Sequence, residues 1–129
     1  MRADALLTKV LLTQRGGRLL IATLDDLAAI YARNAVEMQR RQSDCIIVSQ
    51  GLDHSIHGGA SEKKEIDPNN RGSVLLGSVA YYMDRYGYEV LPLAMRLLAG
   101  EVLPPRTMTK HVLVTAANVF REYPPFDMN

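Results

Sequence analysis

Apolar residues along the chain gather into four short runs, each bounded by turn residues or charges. They are Leu19-Leu20-Ile21-Ala22-Thr23, Cys45-Ile46-Ile47-Val48, the stretch 74–80, and Lys110-His111-Val112-Leu113-Val114-Thr115. Short runs of this kind, rich in aliphatic and β-branched residues, read as buried strands. Helical periodicity fills the intervals between them. Leu6, Leu7, Val10 and Leu11 recur at helical spacing over 5–13, and Gly16-Gly17 supplies the stop. Asp25 stands where an N-cap belongs, ahead of an alanine-rich helix expected to reach about residue 41. A further helix is predicted over 84–99, with Val90, Leu91, Ala94, Leu97 and Leu98 as its apolar face. Gly100 is its C′ residue and Pro92 an expected kink. Residues 102–105 read as an extended connector and 116–123 as a short terminal helix.

The recurrence of strand, helix and strand is the signature of βαβ units. The first run is nearly continuous rather than alternating, so it is expected to be a parallel strand covered on both faces. The prediction is an α/β fold, three-layer, with a mostly parallel sheet of about four strands. The stretch 74–87 sits at its centre, running from Gly77-Ser78-Val79-Ala80 into Tyr81-Tyr82 and then into helix. Two tyrosines at a strand exit lie where open α/β sheets hold ligands. Packing alone accounts for aromatic pairs more often than recognition does.

With 129 residues the chain is one domain, and its net charge of +1 offers no field for nucleic acid. The single cysteine, Cys45, lies in an apolar run and reads as a small buried hydrophobe. No run approaches the roughly 20 apolar residues of a membrane span. Asp4 and Lys9 interrupt the N-terminal stretch, so the chain as written shows no signal peptide and would be cytoplasmic if made in this form.

Candidate chemistry is sparse. Nucleotide-cradling glycine patterns are absent, and Ser49 in Ile47-Val48-Ser49-Gln50-Gly51 lacks the first glycine of a nucleophile elbow. Asp53-His54-Ser55-Ile56-His57 fits no zinc spacing, and His111 reads as a surface residue. Asp25-Asp26 at a helix start reads as cap and dipole complement. Within the polar interval 54–71, a helix is expected over 60–66, with Glu62-Lys63-Lys64-Glu65 as a solvated turn. No catalytic constellation forms, so neither an enzyme nor a cofactor nor a metal is expected.

Three segments together resemble the carboxy-terminal part of the type I periplasmic sugar-binding proteins, the ribose-binding-like solute receptors of ABC transporters. They are Leu20-Ile21-Ala22-Thr23-Leu24-Asp25-Asp26-Leu27-Ala28, then Ile46-Ile47-Val48-Ser49-Gln50-Gly51-Leu52-Asp53, then 77–87 continued by Leu91-Pro92-Leu93-Ala94 and by 110–115. The resemblance implies a partial second lobe of a periplasmic-binding-protein-like fold. On it, 1–81 is the lobe part, 82–107 the hinge crossing and return helix, and 108–129 the terminal strand and short helix. It implies sugar binding without chemistry, a periplasmic location and an ABC permease partner in the full-length context. The alternative is the effector lobe of a lactose-repressor-like regulator, because that group shares the pattern. Position by position, Asp25 matches the aspartate that accepts from sugar hydroxyls, Gln50 lies at the cleft-facing strand end, and Tyr81 follows the third strand. Leu24 replaces the usual asparagine, Tyr81 the common glutamine, and Met83 a frequent proline. Such receptors are more than twice this long, so the chain is expected to be a fragment with weak or absent sugar affinity alone. The helix over 84–99 then lacks its cover, and a homodimer is expected.

Overall fold

A computed structural model describes residues 3–57, 65–70, 72–82 and 86–122. The element order is α1 (Ala3–Thr13), β1 (Leu19–Ala22), α2 (Asp26–Met38), β2 (Cys45–Gly51), α3 (His54–His57), β3 (Leu75–Ala80), α4 (Tyr86–Leu98), β4 (Val112–Thr115) and α5 (Val119–Glu122). The strands form one sheet in the order β1-β2-β3-β4. The first three are parallel and β4 is antiparallel to β3. The mostly parallel sheet with flanking helices is therefore as expected.

The core lies between this sheet and α2. From the helix, Ala29, Ala32, Ala35 and Val36 are buried, at a spacing that puts them on one side. They meet Cys45 and Ile47 of β2, Leu75 of β3 and Val114 of β4. Alanine on the helix lets its backbone sit close to β-branched strand residues. Helix α1 packs on α2 through Leu7 and the buried Leu11. Arg41 locks that arrangement: its guanidinium donates to the Leu11 and Gly17 carbonyls at 3.3 and 3.1 Å and pairs with Asp44 at 2.6 Å. It thus satisfies a carbonyl that the end of α1 leaves open.

Two expectations need correction. Strand β1 is parallel, but only one of its faces is covered; Leu20 is 74% exposed. It is an edge strand, and the face opposite α2 stays open across the sheet at Leu20, Ile46, Leu76 and Leu113. An apolar run gives burial propensity, yet cannot say whether a covering element exists. The second correction is Glu65, which is buried rather than solvated: it pairs with Arg33 and accepts from the Ser73 hydroxyl at 3.0 Å. Most of the predicted helix over 60–66 lies outside the described residues, whereas the single turn α3 at His54–His57 was not foreseen.

Helix α4 is described from Tyr86 onward, and the start of the predicted helix at 84–85 lies outside the described residues, as does residue 83. It ends as expected: Gly100 has φ 80°, its N–H donates to Leu97 O at 3.0 Å, and Glu101 N donates to Arg96 O at 3.0 Å. None of its residues is buried. Tyr88, Val90, Leu91, Met95, Leu97 and Leu98 all stand more than half exposed.

Candidate functional site at the strand ends

The carboxyl ends of β1, β2 and β3 share one edge of the sheet. Ala22 pairs with Val48 and Gly51 with Ala80, and Thr23 N extends the ladder to Val48 O at 3.0 Å. Leu24-Asp25, Gln50 and Tyr81 are consequently neighbours. The Gln50 amide nitrogen donates to Leu24 O at 2.8 Å, and its amide oxygen accepts the Tyr81 hydroxyl hydrogen bond. Tyr81 also meets His111 edge-on, with ring centroids 5.1 Å apart. His111 directly precedes β4, whose first residue Val112 pairs with Ala80, so antiparallel pairing delivers it to the same edge. Sequence spacing placed His111 on the surface, where it is; its proximity to Tyr81 required knowing the β3–β4 register.

Asp25 is the N-cap of α2. Its backbone is extended and Oδ1 accepts from Ala28 N at 2.6 Å. That bond uses one of about four acceptor positions on a carboxylate. The residue is exposed, so its remaining acceptor positions are open to solvent.

Asp26 behaves differently from its neighbour. It is only 2% exposed. Oδ1 accepts from Ser49 Oγ at 2.6 Å and Ser78 Oγ at 2.8 Å, and Oδ2 accepts from Asp53 N at 2.7 Å. Ser78 Oγ accepts in turn from Leu52 N at 3.1 Å. A buried carboxylate without partners would be costly; here three donors from three chain segments hold it. Asp26 thus ties α2, β2, β3 and the turn after β2 together directly beneath Asp25 and Gln50. It is a positioning residue, and Ser49 is committed to it rather than free for attack. In the sequence, Asp26 looked like a second capping carboxylate, and only the strand register reveals the two serines beneath it.

The turns at this edge are conformationally demanding. Gly51 has φ 123°, and a Cβ there would come within 2.9 Å of Asp26 Oδ2. Leu52 at φ 58° and Tyr82 at φ 53° adopt the left-handed conformation that residues with a side chain seldom do. At Tyr82 this reversal separates the two tyrosines. Tyr82 is 4% exposed and joins the core, its hydroxyl bonded to Glu122, while Tyr81 stays at the edge. Packing and edge-facing roles are thus divided between the pair.

A cavity of about 330 Å³ lies at the other end of the sheet, bordered by Cys45, Ile46, Leu75, Glu65 and Asn70. It contains none of the three predicted site residues. Among the described residues no cluster of three or more metal-ligating side chains occurs, and no helix is long and apolar enough to cross a membrane.

No family model matches the sequence and no curated protein does. Solved structures do match. An ABC transporter solute-binding protein from Agrobacterium vitis with bound allitol aligns over 93% of this chain with a TM-score of 0.74 at 16% identity. A periplasmic solute-binding protein from Actinobacillus succinogenes with bound D-allose aligns over 94% with a TM-score of 0.72 at 15% identity. The fructose-binding periplasmic domain of a hybrid two-component system aligns over 93% with a TM-score of 0.69 at 22% identity. This chain spans only 39%, 39% and 37% of them, respectively. These structures are sugar or polyol receptors, and this chain has the fold of part of a type I periplasmic sugar-binding protein.

Proposed function

We propose that this chain carries one wall of a carbohydrate-binding cleft, with Asp25, Gln50 and Tyr81 as its ligand contacts and no chemistry performed. The observation that carries the reading is the convergence of these three positions at the carboxyl edge of a parallel sheet. An exposed, oriented carboxylate suits sugar hydroxyls, because each hydroxyl donates and a charge-assisted bond is worth roughly 1.5–3 kcal/mol. Gln50 offers both a donor and acceptors. The Tyr81 ring supplies an apolar surface for the C–H face of a pyranose. Neighbours of the same fold hold allitol and D-allose, which supports polyols and aldohexoses as the first ligands to try.

Delivery to an ABC permease in the periplasm is the finer form of this reading, supported by neighbours that are ABC transporter solute-binding proteins. The fructose-binding periplasmic domain of a hybrid two-component system has the same fold, so sugar binding rather than transport is the element these neighbours share. One wall of a cleft buries far less than the 70–90% of ligand surface usual in a full pocket. The chain alone is therefore expected to bind in the millimolar range. The test is saturation-transfer NMR of the chain with allitol, D-allose and D-fructose, beside Asp25→Ala. A saturable signal weakened by roughly 10- to 100-fold in the variant supports the reading. Equal signals for both proteins remove Asp25 from the site.

A further inference from the structure

Tyr81 and His111 meet because the β3–β4 register continues past the strands themselves. Ala80 pairs with Val112, so the next opposed positions are Tyr81 with His111 and Tyr82 with Lys110. Side-chain contacts follow that order. The Tyr81 and His111 rings stand edge-on, 5.1 Å apart with 82° between their planes. Lys110 Nζ lies 5.4 Å from the Tyr82 ring centroid and 3.8 Å from Glu122 Oε2. Lys110 thus goes with Tyr82 and Glu122, and His111 goes with Tyr81. The Tyr81 ring is held at its far end as well. Its hydroxyl donates to the Gln50 amide oxygen, and the Gln50 amide nitrogen donates to Leu24 O at 2.8 Å. One unbroken row of contacts therefore crosses the sheet edge from Leu24 through Gln50 and Tyr81 to His111.

We propose that His111 is a specificity-determining positioning residue, fixing the Tyr81 ring in a pose that favours a cyclic sugar over an open-chain polyol. The inference rests on the carbohydrate reading above and adds a residue outside its three contacts. The Gln50 bond fixes where the Tyr81 hydroxyl lies, yet leaves the ring able to turn about its own long axis, a broad torsion in any tyrosine. The imidazole, set nearly perpendicular to the ring, removes that freedom. An edge-on contact engages at most one face of the Tyr81 ring, so His111 orients the ring without occupying both faces. A pyranose presents a fixed array of C–H bonds, and its contact with an aromatic face depends on the tilt of that face. An open-chain hexitol such as allitol has no ring face and makes its contacts through hydroxyls. Ordering the Tyr81 ring before binding lowers the cost of association for the ligand that uses the ring, and leaves the other unaffected.

NMR of the chain with tyrosine rings ¹³C-labelled, titrated with D-allose and with allitol, tests the assignment. Wild type is expected to show Overhauser contacts between the Tyr81 and His111 rings. His111 is exposed, so His111→Ala should leave the fold intact while lowering the order parameter of the Tyr81 ring. It should weaken D-allose by roughly 3- to 10-fold, the worth of an edge-to-face aromatic pair, and change allitol by less than about 1.5-fold. His111→Phe keeps a ring at this position and should restore both the ring order and the preference for D-allose. An unchanged order parameter in His111→Ala overturns the proposal. Equal weakening of the two ligands, or no rescue by phenylalanine, overturns it as well. Tyr81→Ala separates this failure from that of the reading beneath it. Loss of D-allose binding in Tyr81→Ala but not in His111→Ala overturns the role of His111 alone. Unchanged binding in Tyr81→Ala, or a wild type that takes up neither ligand, overturns the carbohydrate site and the role of His111 together.

Discussion

Asp25 and Asp26 are adjacent and chemically identical, and their surroundings give them different tasks. Asp25 bonds one backbone N–H and is otherwise exposed. Asp25→Ala should lower stability by about 1 kcal/mol, the usual cost of losing an N-cap, and act mainly on ligand affinity. Asp26→Ala leaves Ser49 Oγ, Ser78 Oγ and Asp53 N without their common acceptor. At about 1–3 kcal/mol for each buried group left unsatisfied, the loss should be roughly 3 kcal/mol or more. Urea denaturation of the two variants checks the contrast; comparable losses would mean that Asp26 is not the buried anchor. At Cys45, burial and the adjacent Asp44 push the thiol pKa up. Its alkylation by iodoacetamide at pH 8 should be slow in the native chain and fast in denaturant. Equal rates in the two conditions would contradict burial of Cys45.

At the scale of elements, the strands and main helices can be read from hydrophobic pattern alone, because an apolar run or a helical stripe is local information. Their partners cannot. The exposed half of β1, the burial of Glu65 by Arg33 and the meeting of Tyr81 with His111 all depend on which distant segment arrives. Strand β3 shows how tight that arrangement is. A Cβ on Gly77 would lie 2.4 Å from Val114 O and 3.0 Å from Thr115 Cγ2. Because the first of these is backbone, Gly77→Ala must push β4 away and should cost roughly 1–3 kcal/mol by thermal unfolding. Helix α5 is held by the Tyr82 hydroxyl on Glu122, which, with Arg121 and Lys110, holds that carboxyl below its ordinary value. A depressed carboxyl pKa adds stability above the ordinary range near about pH 4.3 and loses it as the pH falls through the folded value. Wild type should therefore lose more stability between pH 5 and 3 than Glu122→Gln does. Parallel pH profiles would show that the bond adds nothing.

For the whole molecule, the order of elements and the three candidate contacts were available from sequence because the resemblance ran through consecutive strand ends. The anchor beneath them was not, since Ser49 and Ser78 are separated from Asp26 by 23 and 52 positions. Nor could sequence show that the 330 Å³ cavity opens at the opposite end of the sheet from the proposed contacts. That separation lets one experiment decide where ligand binds. Amide chemical-shift mapping of the ¹⁵N-labelled chain, titrated with D-allose to tens of millimolar, should move Asp25, Gln50, Tyr81 and His111 together. Shifts confined to Cys45, Ile46, Asn70 and Leu75, or no shifts at all, would contradict a carbohydrate site at the strand ends.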